Sequence, residues 1–145
     1  KMKPEPVLDD VKIKKLLIYC REIKDNIFKY GDKENKEIEM LNDIEDQLTL
    51  ANAHLLVENA KDDKDLDKVL EYYSILAKKF EENKKIILHS ITLWRRGDIY
   101  CLQGEYDLAL KEFELALSVV DGSGKKGKIK ELETRINQIA EIIGQ

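Results

Sequence analysis

Both prolines of this chain, Pro4 and Pro6, fall within its first six residues, so no position from Val7 onward carries the strongest helix breaker. Long uninterrupted helices are therefore allowed across nearly the whole length. The apolar residues use that freedom, recurring at intervals of three and four. Ile13, Leu16, Leu17, Cys20, Ile23 and Ile27 form one stripe, and Ile38, Leu41, Ile44, Leu48, Ala51 and Leu55 a second with heptad spacing. Leu66, Val69, Leu70, Tyr73, Leu76, Ala77 and Phe80 form a third. Ile87, Ile91, Trp94 and Cys101 follow, then Tyr106, Ala109, Leu110, Phe113, Ala116 and Leu117, and finally Ile129, Leu132, Ile136, Ile139 and Ile143. The expected fold is all-α, about six helices with no strand.

The expected spans are about 8 to 30, 34 to 60, 64 to 82, 84 to 103, 105 to 120 and 126 to 143. Gly31, Gly104 and Gly144 stand where periodicity stops and read as helix ends. Asp32 and Asp63 read as N-caps, since a short carboxylate accepts the orphan amide protons of a first turn. The stretch EENKK, residues 81 to 85, has neither Gly nor Pro, so helices three and four could run together there. Short connections imply antiparallel neighbours, hence a stack of helical hairpins.

At 145 residues the chain reads as one domain, residues 1 to 145, able to bury a core without metal or disulfide. Its 29 acidic residues exceed its 25 basic ones, giving a net charge of −4, and this disfavours an extended nucleic-acid footprint. No apolar run reaches the ~18 residues a membrane span requires, so no membrane insertion is expected. Cys20 and Cys101 each sit inside an apolar helical pattern and read as reduced core thiols, which points to a cytoplasmic setting.

One motif points elsewhere. Gly122, Gly127 and Lys128 satisfy Gly-x-x-x-x-Gly-Lys, the opening of a nucleotide-binding phosphate loop. Such a loop needs a Ser or Thr after the Lys to hold magnesium and a parallel sheet behind it. Ile129 occupies the hydroxyl position, ALSVVD continues a helical stripe from Tyr106, and too few residues follow to build a sheet. The match is read as accidental, with Gly122 stopping helix five and Gly124 and Gly127 keeping the connection flexible. His54 and His89 are the only histidines and lack acids at ligand spacing. No nucleophile, base and orienter stand together, so no enzymatic activity, cofactor or metal is expected.

The segment ITLWRRGDIYCLQGEYDLALKEFELALSVVD, Ile91 to Asp121, resembles a tetratricopeptide repeat. Gly97 and Tyr100 match the Gly-x-x-Tyr of its first helix, Ala109 and Phe113 the Ala-x-x-x-Phe of its second, and Gly104, Tyr106 and Ala116 fall at further signature places. The sequence departs from the pattern at Leu93, with Trp94 one residue after the usual Trp position, at Arg96, where Leu is usual, and at Asp121, where Pro is usual. Upstream, a degenerate echo over about 50 to 82 aligns Val69 and Tyr73 with Ala109 and Phe113. The resemblance implies a right-handed stack of hairpins in which helices two and three form one repeat, helices four and five another, and helix six a cap.

The family is non-catalytic and receives a peptide or helix of a partner in a groove lined by the first helix of each repeat. Carried onto this chain, Leu93, Gly97 and Tyr100 would face the packing side. Ile91, Trp94, Arg95, Asp98 and Cys101 would line the groove, joined in the echo repeat by Ala51, His54, Glu58 and Lys61. Trp94, rotated about 100° from Leu93, would be an exposed anchor there or, one position from the family's structural Trp, a core-packed ring. Family members that clamp a chaperone's C-terminal carboxylate use several Lys, Arg and Asn. Here Arg95 is the single good candidate and Asp98 stands where Asn is expected, which disfavours that ligand. The expected function is an adaptor or cochaperone-like protein-binding module. The alternative is a homodimer or larger structural assembly paired through the heptad of helix six.

Overall fold

The computed structural model describes residues 10–30, 36–121 and 126–144. Among them are six α-helices and no strand: α1 (Asp10–Tyr30), α2 (Lys36–Glu58), α3 (Asp63–Glu82), α4 (Ile86–Leu102), α5 (Tyr106–Val120) and α6 (Lys126–Gly144). No helix of these residues is long and apolar enough to cross a membrane. The segment ALSVV forms the end of α5, not a strand. Gly127 lies in the first turn of α6 instead of in the connection, and residues 122–125 lie outside the described part.

The chain divides into two compact units, Lys1–Asn59 and Ala60–Gln145. The boundary falls within the span of the echo repeat, so α2 belongs to the first unit and α3 to the second. In the first unit α1 packs on α2 around Ile13, Cys20 and Leu48, with Leu17, Leu41, Ala51 and Leu55 at the margin. Lys24 of α1 ties the pair by donating to Glu45 at 2.7 Å and to Asn42 at 3.0 Å. Two residues expected in the stripes, Leu16 and Ile44, are exposed. On a helix of 3.6 residues per turn these two stand at the edge of the seam that Ile13, Cys20 and Leu48 close.

In the second unit each helix packs on the next, α3 on α4, α4 on α5 and α5 on α6. Side-chain pairings fix the directions. Gln103, just past the end of α4, donates to Asp67 near the start of α3 at 2.8 Å. Ser90, early in α4, donates to the Ala116 carbonyl late in α5 at 3.0 Å. Both neighbours of α4 therefore run antiparallel to it. The core gathers Ala77 of α3, Leu93 and Trp94 of α4, Ala109, Phe113, Ala116 and Val120 of α5, and Leu132 and Ile139 of α6.

Asp62, not Asp63, is the N-cap of α3, accepting from the Asp65 amide at 2.9 Å; Asp63 is the first helical residue. The slip of one position follows from adjacent carboxylates that serve equally well in sequence. Asp32 lies outside the described residues. Helices three and four do not merge: EENKK breaks because Lys84 adopts φ 57°. The Lys85 amide then bonds the Phe80 carbonyl at 2.9 Å and the Lys84 amide that of Glu81 at 3.1 Å. These bonds satisfy two carbonyls orphaned by the helix end. The end of α4 has the same geometry, with Gly104 at φ 76°, Glu105 bonded to Tyr100 at 2.8 Å and Gly104 to Cys101 at 3.1 Å.

Candidate functional site

The helix α4 carries the densest set of singled-out residues, and its position rests on one close approach. A Cβ on Gly97 would lie 2.6 Å from the nearest ring atom of Phe113. Glycine therefore lets α5 bring a full aromatic ring against the α4 backbone. Leu93 and Gly97 are buried and Tyr100 is half-buried, which is the packing face expected of them.

The neighbouring stripe, expected to line an open groove, is not open. Trp94 retains 8% exposure, so the exposed ring expected from the sequence is not found. The covering helix is α6. Its Leu132 and Ile139 join the same core cluster as Trp94. Arg135 lays its guanidinium over the indole, 4.4 Å from the ring centroid, and lies 5.9 Å from the Phe113 ring. A cation over an aromatic face is attracted to the ring quadrupole, most strongly for Trp. The same guanidinium forms a close ion pair with Asp98. Burial pushes the Cys101 thiol up, Asp98 adds to the rise and Arg135 opposes it. Cys101 is half-buried against the core, and neither it nor Cys20 is in a disulfide.

Ile91 and Arg95 are also half-buried. Arg95 acts on the fully buried Tyr73 of α3: burial raises the phenol's pKa and the guanidinium opposes that rise. On the α5 side, Arg96 pairs with Glu112 at 3.3 Å, both largely shielded from solvent. The long cationic side chain of Arg96 thus finds a carboxylate across the helix pair. Burial pushes the Glu112 carboxyl above its ordinary range, and Arg96 pulls it part of the way back.

The remaining expected site residues separate. His54 and Glu58 are exposed side chains of α2, in the first unit, and pair with one another at 3.0 Å. Lys61 lies beyond the end of α2, in the second unit, and its backbone amide donates to Asp65. It cannot extend the His54 and Glu58 stripe, because the helix that would carry it stops at Glu58 and Asp62 begins the next cap. The residue that sequence reasoning missed is Arg135. Its signal was weak: it stands beside the Leu132 and Ile139 seam, where a charged residue reads as solvated surface. Of the heptad read in the sequence for pairing with another copy, Leu132 and Ile139 are buried in the core with α4 and α5, Ile129 and Ile136 are half-buried against it, and Ile143 is exposed.

Among the described residues no group of three or more His, Cys, Asp or Glu side chains is placed to hold a metal ion. No family model, no curated protein and no solved structure matches the chain.

Proposed function

We propose that this chain is a non-catalytic interaction module, adaptor-like or cochaperone-like, whose second unit captures a helix or peptide of a partner protein along α4. The observation that carries the reading is that the outer stripe of α4 already receives a side chain from a helix: Arg135 of α6, which packs on α5, stacks on Trp94 and pairs with Asp98. A surface with one aromatic face, one carboxylate and a flanking guanidinium at Arg95 suits an amphipathic polypeptide. The tetratricopeptide likeness of residues 91 to 121 supports the same reading, since Gly97 against Phe113 makes the close helix pair that its signature requires. Two unpaired thiols suit a reducing, cytoplasmic setting. The net charge of −4 favours protein over nucleic acid as the partner.

Affinity capture with the full chain tests this, followed by direct titration of the captured partner against wild type, Arg95→Glu and the remote control Glu114→Ala. Arg95→Glu is expected to weaken the complex tenfold or more, while Glu114→Ala leaves it unchanged. Equal affinity for all three chains rejects capture along α4.

A further inference from the structure

We infer that the ligand of the α4 face is an amphipathic helix bearing an arginine or lysine with branched aliphatic residues three positions before and four positions after it, and that α6 is the resident competitor for that place. The inference rests on the capture reading above and specifies its ligand and regulation. The template is α6 itself. Leu132, Arg135 and Ile139 are spaced by three and four residues, so all three project from one side of the helix. The aliphatic pair enters the cluster with Leu93, Trp94 and Phe113, and the cation between them meets the indole face and the Asp98 carboxylate. A neutral residue at the central position would forfeit both polar contacts, and an acidic one would oppose Asp98 directly. The site therefore selects by charge as well as by apolar shape.

Displacement must overcome the packing of α6 on α5, where Ile129 and Ile136 also lie against the core, but few side chains of α6 are deeply buried. Among its described side chains only Leu132 and Ile139 are buried, whereas α3 buries seven. Arg135 and Asp98 keep 34% and 40% of their side-chain exposure, so water can reach the pair and weaken it. An intramolecular occupant lowers the apparent affinity for an external helix by the fraction of molecules in which the face is open. A partner helix of the same pattern competes for that fraction and releases α6.

The single tryptophan of the chain reports the state of the site. Iodide quenching of Trp94 is measured in full-length wild type, Arg135→Glu and the charge-swapped double variant Asp98→Lys with Arg135→Glu. Each chain is then titrated with a labelled synthetic peptide of residues 126–144, and with the same peptide carrying Glu in place of Arg135. Arg135→Glu is expected to expose Trp94 to iodide and to bind the arginine peptide at least tenfold tighter than wild type, with the ring shielded again on binding. The swapped chain is expected to shield Trp94 as wild type does. The Glu peptide is expected to bind Arg135→Glu at least tenfold more weakly than the arginine peptide.

Trp94 as shielded in Arg135→Glu as in wild type overturns the proposal, as does equal binding of the two peptides. Loss of helicity in that variant beyond the share of α6 also overturns it, because α6 would then be indispensable core. If these results coincide with Arg95-dependent capture, the displacement proposal fails alone. If Arg95→Glu also leaves capture unchanged, the α4 reading fails with it.

Discussion

Gly97 shows how one missing side chain fixes a helix pair. Placing Ala in a helix normally gains up to about 1 kcal/mol over Gly. Here the added Cβ meets Phe113 at 2.6 Å, and that ring is itself buried and cannot swing away. Overpacking costs about 1 to 3 kcal/mol, so the steric term outweighs the propensity gain. Gly97→Ala and, more strongly, Gly97→Leu are expected to lower the urea midpoint, whereas Gly144→Ala, with no atom within 4 Å, leaves it unchanged. A stabilised Gly97→Ala chain would show that α5 does not approach α4 this closely. Trp94 gives the complementary case. Its ring is a core contact, so Trp94→Ala is expected to cost about 3 to 5 kcal/mol in denaturant unfolding. A loss below about 1 kcal/mol would mean that the ring is not packed beneath α6.

Two features belong to the helices as elements. The ends of α3 and α4 use one terminating geometry with different residues, Lys84 at φ 57° and Gly104 at φ 76°. A left-handed conformation costs a side-chain-bearing residue roughly 1 to 2 kcal/mol, and glycine avoids it at the expense of about 0.5 to 1 kcal/mol of chain entropy. Lys84→Gly is therefore expected to raise the unfolding free energy by about 0.5 to 1 kcal/mol, and Gly104→Ala to lower it by about 1 kcal/mol. Thermal melts of the two variants moving in the same direction would contradict the shared geometry.

The second feature is Glu112, which joins α5 to α4 through Arg96. Its folded pKa is raised by burial above the ordinary 4.5, with Arg96 opposing. The folded state thus holds this proton more tightly than the unfolded chain does. The contribution is fully present below the unfolded pKa and is lost as pH rises through the folded one. Urea midpoints of wild type and Glu112→Gln between pH 4 and pH 7 are expected to shift steadily in favour of the variant as pH rises. A shift toward wild type over the same window would mean that attraction to Arg96 outweighs burial.

At the scale of the whole molecule the two units differ in how much core they own. The α1 and α2 pair closes over a cluster of Ile13, Cys20 and Leu48, leaving Val11, Ile18, Tyr19 and Phe28 exposed on α1. The cluster of the second unit draws nine buried residues from four successive helices. Opening free energy follows the apolar surface that must be uncovered, so the smaller cluster opens more readily. Amides of α1 are expected to exchange with deuterium at least tenfold faster than those in the middle of α4 and α5. Equal protection throughout would indicate one cooperative unit.

The chain's own order of residues determined the helices. The absence of proline after Pro6 and the three-and-four spacing leave no other regular structure that buries the apolar residues, and all six helices end within two residues of their expected C-termini. The packing of α4 on α5 was legible too, because glycine at position 97 opposite a large aromatic has a local steric cause. What sequence could not decide was which helix covers which stripe. Trp94 is buried in the same cluster as Leu93, and its exposure depended on a helix about forty residues further along the chain, a distance on which periodicity carries no information. The same holds for Arg135, a surface charge by pattern that tertiary packing sets over an indole and beside a carboxylate. Helical periodicity is a property of neighbours along the chain, whereas the burial of a face is a property of whatever the folded chain brings to it.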